Sequence, residues 1–219
     1  MSRESCMRCR RAKEACLCPT APPMETRSRI VLLMHPKEDR RERTGTGRLA
    51  CLNLARAEII PGIALDGHPR VRELIDDPAN RAVLLYPSPG AINLSEPGEA
   101  DARFAGEPGG GNLVVFLVDA TWACSKAVLR GSPGIAGLPR LQFRPREKSR
   151  WVIKRQPHDH CLSTIEAIHE LLCALEAAGL DSYPDKQRLL GVFAAMQDYQ
   201  IARATAAPRP RHIHHGPPP

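Results

Sequence analysis

The sequence predicts an α/β fold, with a mainly parallel sheet and helices on both of its faces. Short apolar runs rich in Val, Ile and Leu occur at Ile30–His35, Ala82–Tyr86 and Leu113–Asp119, as in strands buried on both faces. Helical patterns alternate with these runs. Helix start and stop signals fall where the pattern changes.

Taken in order, the first strand, Ile30–His35, leads to a helix over Gly47–Ala57 that carries Leu49, Leu52 and Leu54, with Ile59 nearby. The second strand is Ala82–Tyr86. Ser95–Gly111 is polar and rich in Gly and Pro, and reads as a surface loop. The third strand, Leu113–Asp119, passes at once into a helix over Thr121–Arg130. Arg140–Phe143 and Trp151–Lys154 read as two more strands. A helix over Ser163–Ala178 opens with the capping box Ser163–Glu166 and stops at Gly179. A last helix follows Asp181, Ser182 and Pro184, all start signals. In such parallel sheets, ligands sit at the carboxyl ends of the strands.

The 219 residues suit one domain with appendages. Composition divides them into a basic, cysteine-bearing head at 1–28, a body at 29–205 and a tail at 206–219. The tail (AAPRPRHIHHGPPP) has no apolar periodicity and reads as disordered. No run approaches the roughly 18 apolar residues of a membrane span. No apolar stretch follows the first basic residues, so a secretory signal is not expected. A cytoplasmic protein without a membrane partner is the expectation.

The formal charge is +7, unevenly spread. Residues 1–50 hold 12 Lys/Arg against 6 Asp/Glu, and residues 140–155 hold 7 against 1. Two basic zones on an acidic body suit a polyanion, because clustered cations release counterions from a phosphate backbone. The alternative is a solvated surface of high pI.

Four of the eight cysteines, Cys6, Cys9, Cys16 and Cys18, lie in a C-x2-C-x6-C-x-C arrangement. Four thiolates suit a tetrahedral structural zinc, and so short a segment needs a metal for its folding energy. Arg8, Arg10, Arg11 and Lys13 would favour the thiolates. The alternative is four reduced thiols on a floppy tail. With four protein ligands, such a zinc would not be catalytic.

A second constellation is Val118-Asp119-Ala120-Thr121-Trp122. It places an acid, a hydroxyl and an aromatic at the carboxyl edge of a buried strand. Asp119 or Thr121 could also serve simply as the helix cap.

The segment Asp119-Ala120-Thr121-Trp122 resembles the D-x-T-W signature of the DTW-domain family. Other segments are similar to that family in the same order: the cysteine cluster; His35-Pro36-Lys37-Glu38 with Arg40, Arg41, Thr44, Thr46 and Gly47; Leu84-Leu85-Tyr86-Pro87; Leu138-Pro139; and Leu162 to Ala167. The resemblance implies a SPOUT-like sheet threaded through a C-terminal knot, and dimers are common among SPOUT relatives. It implies transfer of the 3-amino-3-carboxypropyl group from S-adenosylmethionine to N3 of a uridine in tRNA, with 5′-methylthioadenosine released.

Carried onto this chain, the resemblance implies a donor site made of Leu85, Tyr86, Pro87, Ser88, Gly90, Thr121, Trp122, Pro139, Leu162, Ser163 and Thr164. Backbone amides at Ser163 and Thr164 would take the methionine carboxylate. Trp122 would pack on the sulfonium or on the transferred chain. Asp119 is the first candidate for the base that takes the N3 proton, and Glu166 the second. A methyltransferase on the same scaffold is a rival. So is a non-catalytic, zinc-stabilised RNA-binding module, although intact Asp119, Thr121 and Trp122 argue against it.

For RNA, Arg40, Arg41, Arg43, Arg48, Arg144, Arg146, Lys154 and Arg155 are the candidate phosphate contacts. Phe143 and Trp151 would give the 140–155 segment an apolar underside. His158-Asp159-His160-Cys161 reads as a polar turn before a helix rather than a ligand set. Cys51, Cys124 and Cys173 read as core thiols.

Overall fold

A computed structural model describes residues 4–41, 45–96, 98, 112–153 and 161–206, without the side chains of Arg41 and Trp122. Strands β1 (Arg29–Met34), β2 (Ala57–Pro61), β3 (Asn80–Leu85), β4 (Ile92–Asn93), β5 (Asn112–Asp119) and β6 (Arg140–Gln142) form one sheet in the order β2-β1-β5-β3-β6-β4. All its pairings are parallel. The helices are α1 (Pro36–Arg41), α2 (Thr46–Asn53), α3 (Pro69–Asp76), α4 (Trp122–Gly131), α5 (Pro133–Ala136), α6 (Thr164–Ala177) and α7 (Lys186–Ala206). Among the described residues no helix is long and apolar enough to cross a membrane.

Successive strand side chains point to opposite faces, so each central strand feeds two cores. Ile30, Leu32, Val115 and Leu117 meet Leu49 of α2, Ile165 and Ile168 of α6, and Phe193 of α7. Val31, Leu33, Val114 and Phe116 meet Val71 and Leu74 of α3, Val128 of α4 and Ile135 of α5. Each fully buried side chain of this kind contributes about 1.5–3 kcal/mol. The helices therefore cover both faces of the sheet.

Several elements depart from the expectation. The helix predicted over Gly47–Ala57 ends at Asn53, whose side-chain amide donates to Leu49 O at 2.8 Å. Leu54 is already extended, and Ala57–Pro61 joins the sheet as an edge strand. The strand predicted at Trp151–Lys154 does not form over the described residues 151–153. Side chains take the amides a ladder would need: Arg150 N donates to Glu166 Oε1 (2.6 Å) and Val152 N to Gln197 Oε1 (2.7 Å). Trp151 instead packs on Phe193, with ring centroids 5.0 Å apart. The last helix starts later than its signals suggested, capped by Asp185, which accepts from Arg188 N at 3.2 Å.

Asp181 is freed for another task. Its buried carboxylate accepts from Arg27 N (2.6 Å), Ser28 N (3.2 Å), Ser182 N (2.7 Å) and the Ser28 hydroxyl. This ties the α6–α7 turn to the start of β1, at the end of the sheet away from its carboxyl edge. Asp181→Ala strands the buried amide and hydroxyl of Ser28, each costing about 1–3 kcal/mol. The expected result is a clear fall in melting temperature with ligand binding at the opposite edge unchanged.

Candidate functional site

Parallel pairing brings the strand exits together. Met34 pairs with Asp119, Leu84 with Phe116 and Leu85 with Leu141, so β1, β5, β3 and β6 end at one edge. Asp119 is the last residue of β5. Its carbonyl accepts from His35 N at 3.1 Å. Its carboxylate does not cap the following helix. Thr121 does that, its hydroxyl accepting from Cys124 N at 3.4 Å. The Asp119 side chain turns instead to the start of α6, where the Thr164 hydroxyl donates to Oδ1 at 2.7 Å.

The opposite wall is α2. A methyl group on Gly47 would collide with Asp119 Oδ2 and lie 2.9 Å from Leu32 Cδ1, so only glycine lets the helix approach this close. Thr46 Oγ1 accepts from Ile165 N at 3.4 Å, joining the starts of α2 and α6. Asp119 therefore lies between two helix starts. Its negative charge and, more strongly, burial push the Cys51 thiol up to about 12, which keeps that thiol protonated and inert, as a core residue.

Glu166 is 4% exposed and fully engaged. Its capping box with Ser163 is present. Oε2 accepts from Ser163 N (2.9 Å), Ser163 Oγ (2.6 Å) and Ser149 Oγ (2.7 Å), while Oε1 takes Arg150 N. The residue clamps the 149–150 loop to the start of α6.

The other donor-site candidates lie along the same edge. Tyr86 N donates to Leu141 O at 3.0 Å, and the Arg140 guanidinium lies 5.6 Å from the centre of its ring. Pro139 O accepts from Leu84 N at 2.9 Å. Leu85 packs on the α6 side of the sheet. Pro87 is exposed and Ser88 O accepts from Ala91 N at 3.1 Å. Gly90 has φ of 77°, which suits glycine in that turn. Leu162 is half-buried. Trp122 begins α4, but its side chain lies outside the described residues.

Beside Asp119 opens a cleft of about 270 Å³, lined by Cys9, Arg10, Met34, Glu38, Asp39, Arg40, Gly45, Arg48 and Asp119. Sequence reasoning missed Arg10, Glu38 and Asp39 as parts of one site. Arg10 and Asp39 stand 29 positions apart, and no local pattern links them.

In the head, the sulfur atoms of Cys6, Cys9, Cys16 and Cys18 all lie within 4.8 Å of one another. Cys6 Sγ and Cys18 Sγ are 3.6 Å apart, and Cys9 Sγ and Cys16 Sγ 3.8 Å. A tetrahedron with Zn–S arms of about 2.3 Å has edges of about 3.8 Å, so the thiol set fits zinc. Amides of Cys9 and Arg8 lower the Cys6 thiol to about 6, while burial pushes Cys18 up to about 12. A dication favours the thiolate at all four. Among the described residues this is the group that could hold a metal ion. The His158-Asp159-His160 stretch lies outside them, and Cys161 is buried.

Among the described residues, three of the candidate RNA-binding cations are paired. Arg48 donates to Asp39 Oδ1 at 2.6 Å, Arg144 to Glu96 at 3.0 Å and Arg146 to Glu170 at 3.0 Å. Arg40 is exposed. Exposed pairs such as Arg144–Glu96 contribute about 0–1 kcal/mol, so phosphate can replace the carboxylate at little cost. Arg43, Lys154, Arg155 and the Arg41 side chain lie outside the described residues.

The chain is 29% identical over 181 residues to tRNA-uridine aminocarboxypropyltransferase 2 of Drosophila melanogaster, covering 80% of this chain and 68% of the fly protein. The mouse protein of the same name is 29% identical over 178 residues, and the match spans 57% of its length. Arabidopsis thaliana tRNA-uridine aminocarboxypropyltransferase A is 26% identical over 225 residues, covering 90% of this chain and 81% of the plant protein. No solved structure gives a significant match. The sequence model of the DTW domain matches residues 3–201, and the chain belongs to the DTW domain family.

Proposed function

We propose that the protein transfers the 3-amino-3-carboxypropyl group from S-adenosylmethionine to N3 of a uridine in tRNA. The observation that carries the reading is the Asp119 carboxylate, held at the exit of β5 by Thr164 at 2.7 Å and closed in by Gly47. The shared name of the fly, mouse and plant relatives supports the reaction type. An all-parallel sheet with its open edge at these strand exits supports the SPOUT-like reading.

S-adenosylmethionine supplies a sulfonium, which makes the adjacent γ-carbon of the methionine arm electrophilic. In the transfer, the N3–Cγ bond forms and the Cγ–S bond breaks. The electron pair of the broken bond stays on sulfur, which leaves as the neutral thioether of 5′-methylthioadenosine. The N3 proton goes to Asp119 and then to solvent. Thr164 fixes the carboxylate for that step. Glu166 already accepts four donors and acts by holding the start of α6 rather than as the base. Backbone at Tyr86–Gly90, Pro139 and Leu162–Thr164 binds the donor. Alignment of the two reactants supplies most of the acceleration. The four cysteines hold a structural zinc.

The test is incubation with tRNA and S-adenosylmethionine, followed by mass spectrometry of the digested nucleosides and of the by-product. A uridine heavier by one aminocarboxypropyl group, with methylthioadenosine, is expected. S-adenosylhomocysteine and a methylated nucleoside would replace the reading with a methyltransferase. Binding of tRNA with no affinity for the donor would leave a recognition module.

A further inference from the structure

Two parts of the chain far apart in sequence wall the cleft beside Asp119. Cys9 and Arg10 come from the head, and Glu38, Asp39, Arg40, Gly45 and Arg48 from the α1–α2 region. Arg10 joins them. It has φ of 58°, a left-handed conformation that non-glycine residues seldom adopt, in the turn between the first cysteine pair and Arg11. Its guanidinium donates to Asp39 Oδ1 at 2.8 Å and Asp39 O at 3.4 Å. Arg48 donates to the same Oδ1 at 2.6 Å. Arg11, buried behind, donates to Gly45 O at 3.4 Å. The cysteine turn thus sets where Arg10 points, and Asp39 fixes it on the rim.

We infer that this cleft holds the acceptor nucleotide, with the cysteine head as one wall and Arg10 and Arg40 gripping the flanking phosphates. The inference rests on reading Asp119 as the base. A base must touch its proton donor, and Asp119 lines the cleft. The lining mixes Arg10, Arg40 and Arg48 with Glu38, Asp39 and Asp119, and Asp39 holds Arg10 and Arg48. Arg10 and Arg40 are exposed, so their guanidiniums are within reach of phosphodiesters flanking a neutral pyrimidine. The cleft volume of about 270 Å³ lies near the lower end of small-molecule sites, which run to roughly 300–1,000 Å³.

Arg10→Ala and Arg40→Ala are compared with the parent chain and with Arg72→Ala, an exposed α3 cation outside the cleft. Arg40 is exposed and makes no side-chain hydrogen bond or ion pair among the described residues, so its alanine variant reads the cleft even if the Arg10 variant loosens the head. Three quantities are measured for each: tRNA affinity by filter binding, S-adenosylmethionine affinity by calorimetry, and bound zinc. Both cleft variants are expected to weaken tRNA about tenfold or more, about 1.4 kcal/mol, and to leave donor affinity within twofold. Arg72→Ala is expected to change neither. In steady state the loss falls on KM for tRNA. Reduced donor affinity with tRNA binding intact would overturn the proposal and give the cleft to the donor. Unchanged tRNA affinity in both cleft variants would also overturn it. Because these are binding measurements, they stand even if the parent chain proves to make another nucleoside, which would count against the reaction and not against the cleft.

Discussion

Asp119→Asn is expected to lower kcat by roughly 10²–10⁴-fold, the usual contribution of a positioned acid–base group. Asparagine keeps the shape of the side chain and an oxygen to accept the Thr164 hydroxyl, now at 2.7 Å. The start of α6 therefore stays in place, and the melting temperature and donor affinity are expected to match the parent chain. Only the proton acceptor is lost. Gly47→Ala approaches the same atom from the other side. The added methyl group collides with Oδ2 and displaces the carboxylate. A shift of about 1 Å in a reacting group costs on the order of 100-fold. Alanine also favours the α2 helix over glycine by about 0.5–1 kcal/mol, so a fall in kcat without unfolding isolates the displacement. Rapid-quench turnover and thermal unfolding, measured side by side, decide the matter. Turnover unchanged in the asparagine variant would remove Asp119 from the chemistry.

Stripping the head of its metal is expected to be the second large effect. Among residues 4–18 only Cys9 and Arg11 are buried, so the head has almost no apolar core of its own. Structural zinc supplies about 10–16 kcal/mol in comparable peptides, far more than a turn of this length can gain otherwise. Cys9→Ser, or treatment with a strong chelator, is expected to release about one zinc per chain, four thiolates completing a single tetrahedral ion. The head then loses its turn, and Arg10 leaves the rim of the cleft. The α/β body keeps its two cores, which the head barely enters. The expected outcome is at least a tenfold loss of tRNA affinity, about 1.4 kcal/mol, with the far-ultraviolet dichroism largely retained. Metal analysis and filter binding check it. A chelated protein that still binds tRNA would show that the head plays no part in recognition.

How much of this was legible in the sequence follows from what each element buries. Strands β1, β3 and β5 stood out because they are packed on both faces and so read as unbroken apolar runs. Strand β2 did not, because Ile60 is its one buried residue and the sheet edge demands little more. Two-residue β4 is too short for any pattern. The Ser163–Glu166 cap is a local signal and was read directly. The grip of Glu166 on Ser149 and Arg150, which abolishes a predicted strand, joins distant segments and left no local trace. The same contrast holds at the site. Asp119 was visible because an apolar run ends on it, and the cysteines because of their spacing. That the cysteine turn carries Arg10 to Asp39 depends on a left-handed backbone at one residue, which composition does not encode.

The strand order also shapes the life of the newly made chain. Met34 ends β1, yet β5, which must lie against it, starts only at Asn112. At about 5–20 residues per second, translation needs on the order of 4–16 seconds to cover that gap. During this interval a strand with five consecutive buried positions has an open edge on the ribosome. Shielding of that edge by a chaperone until β5 is made is expected to raise the yield of folded protein.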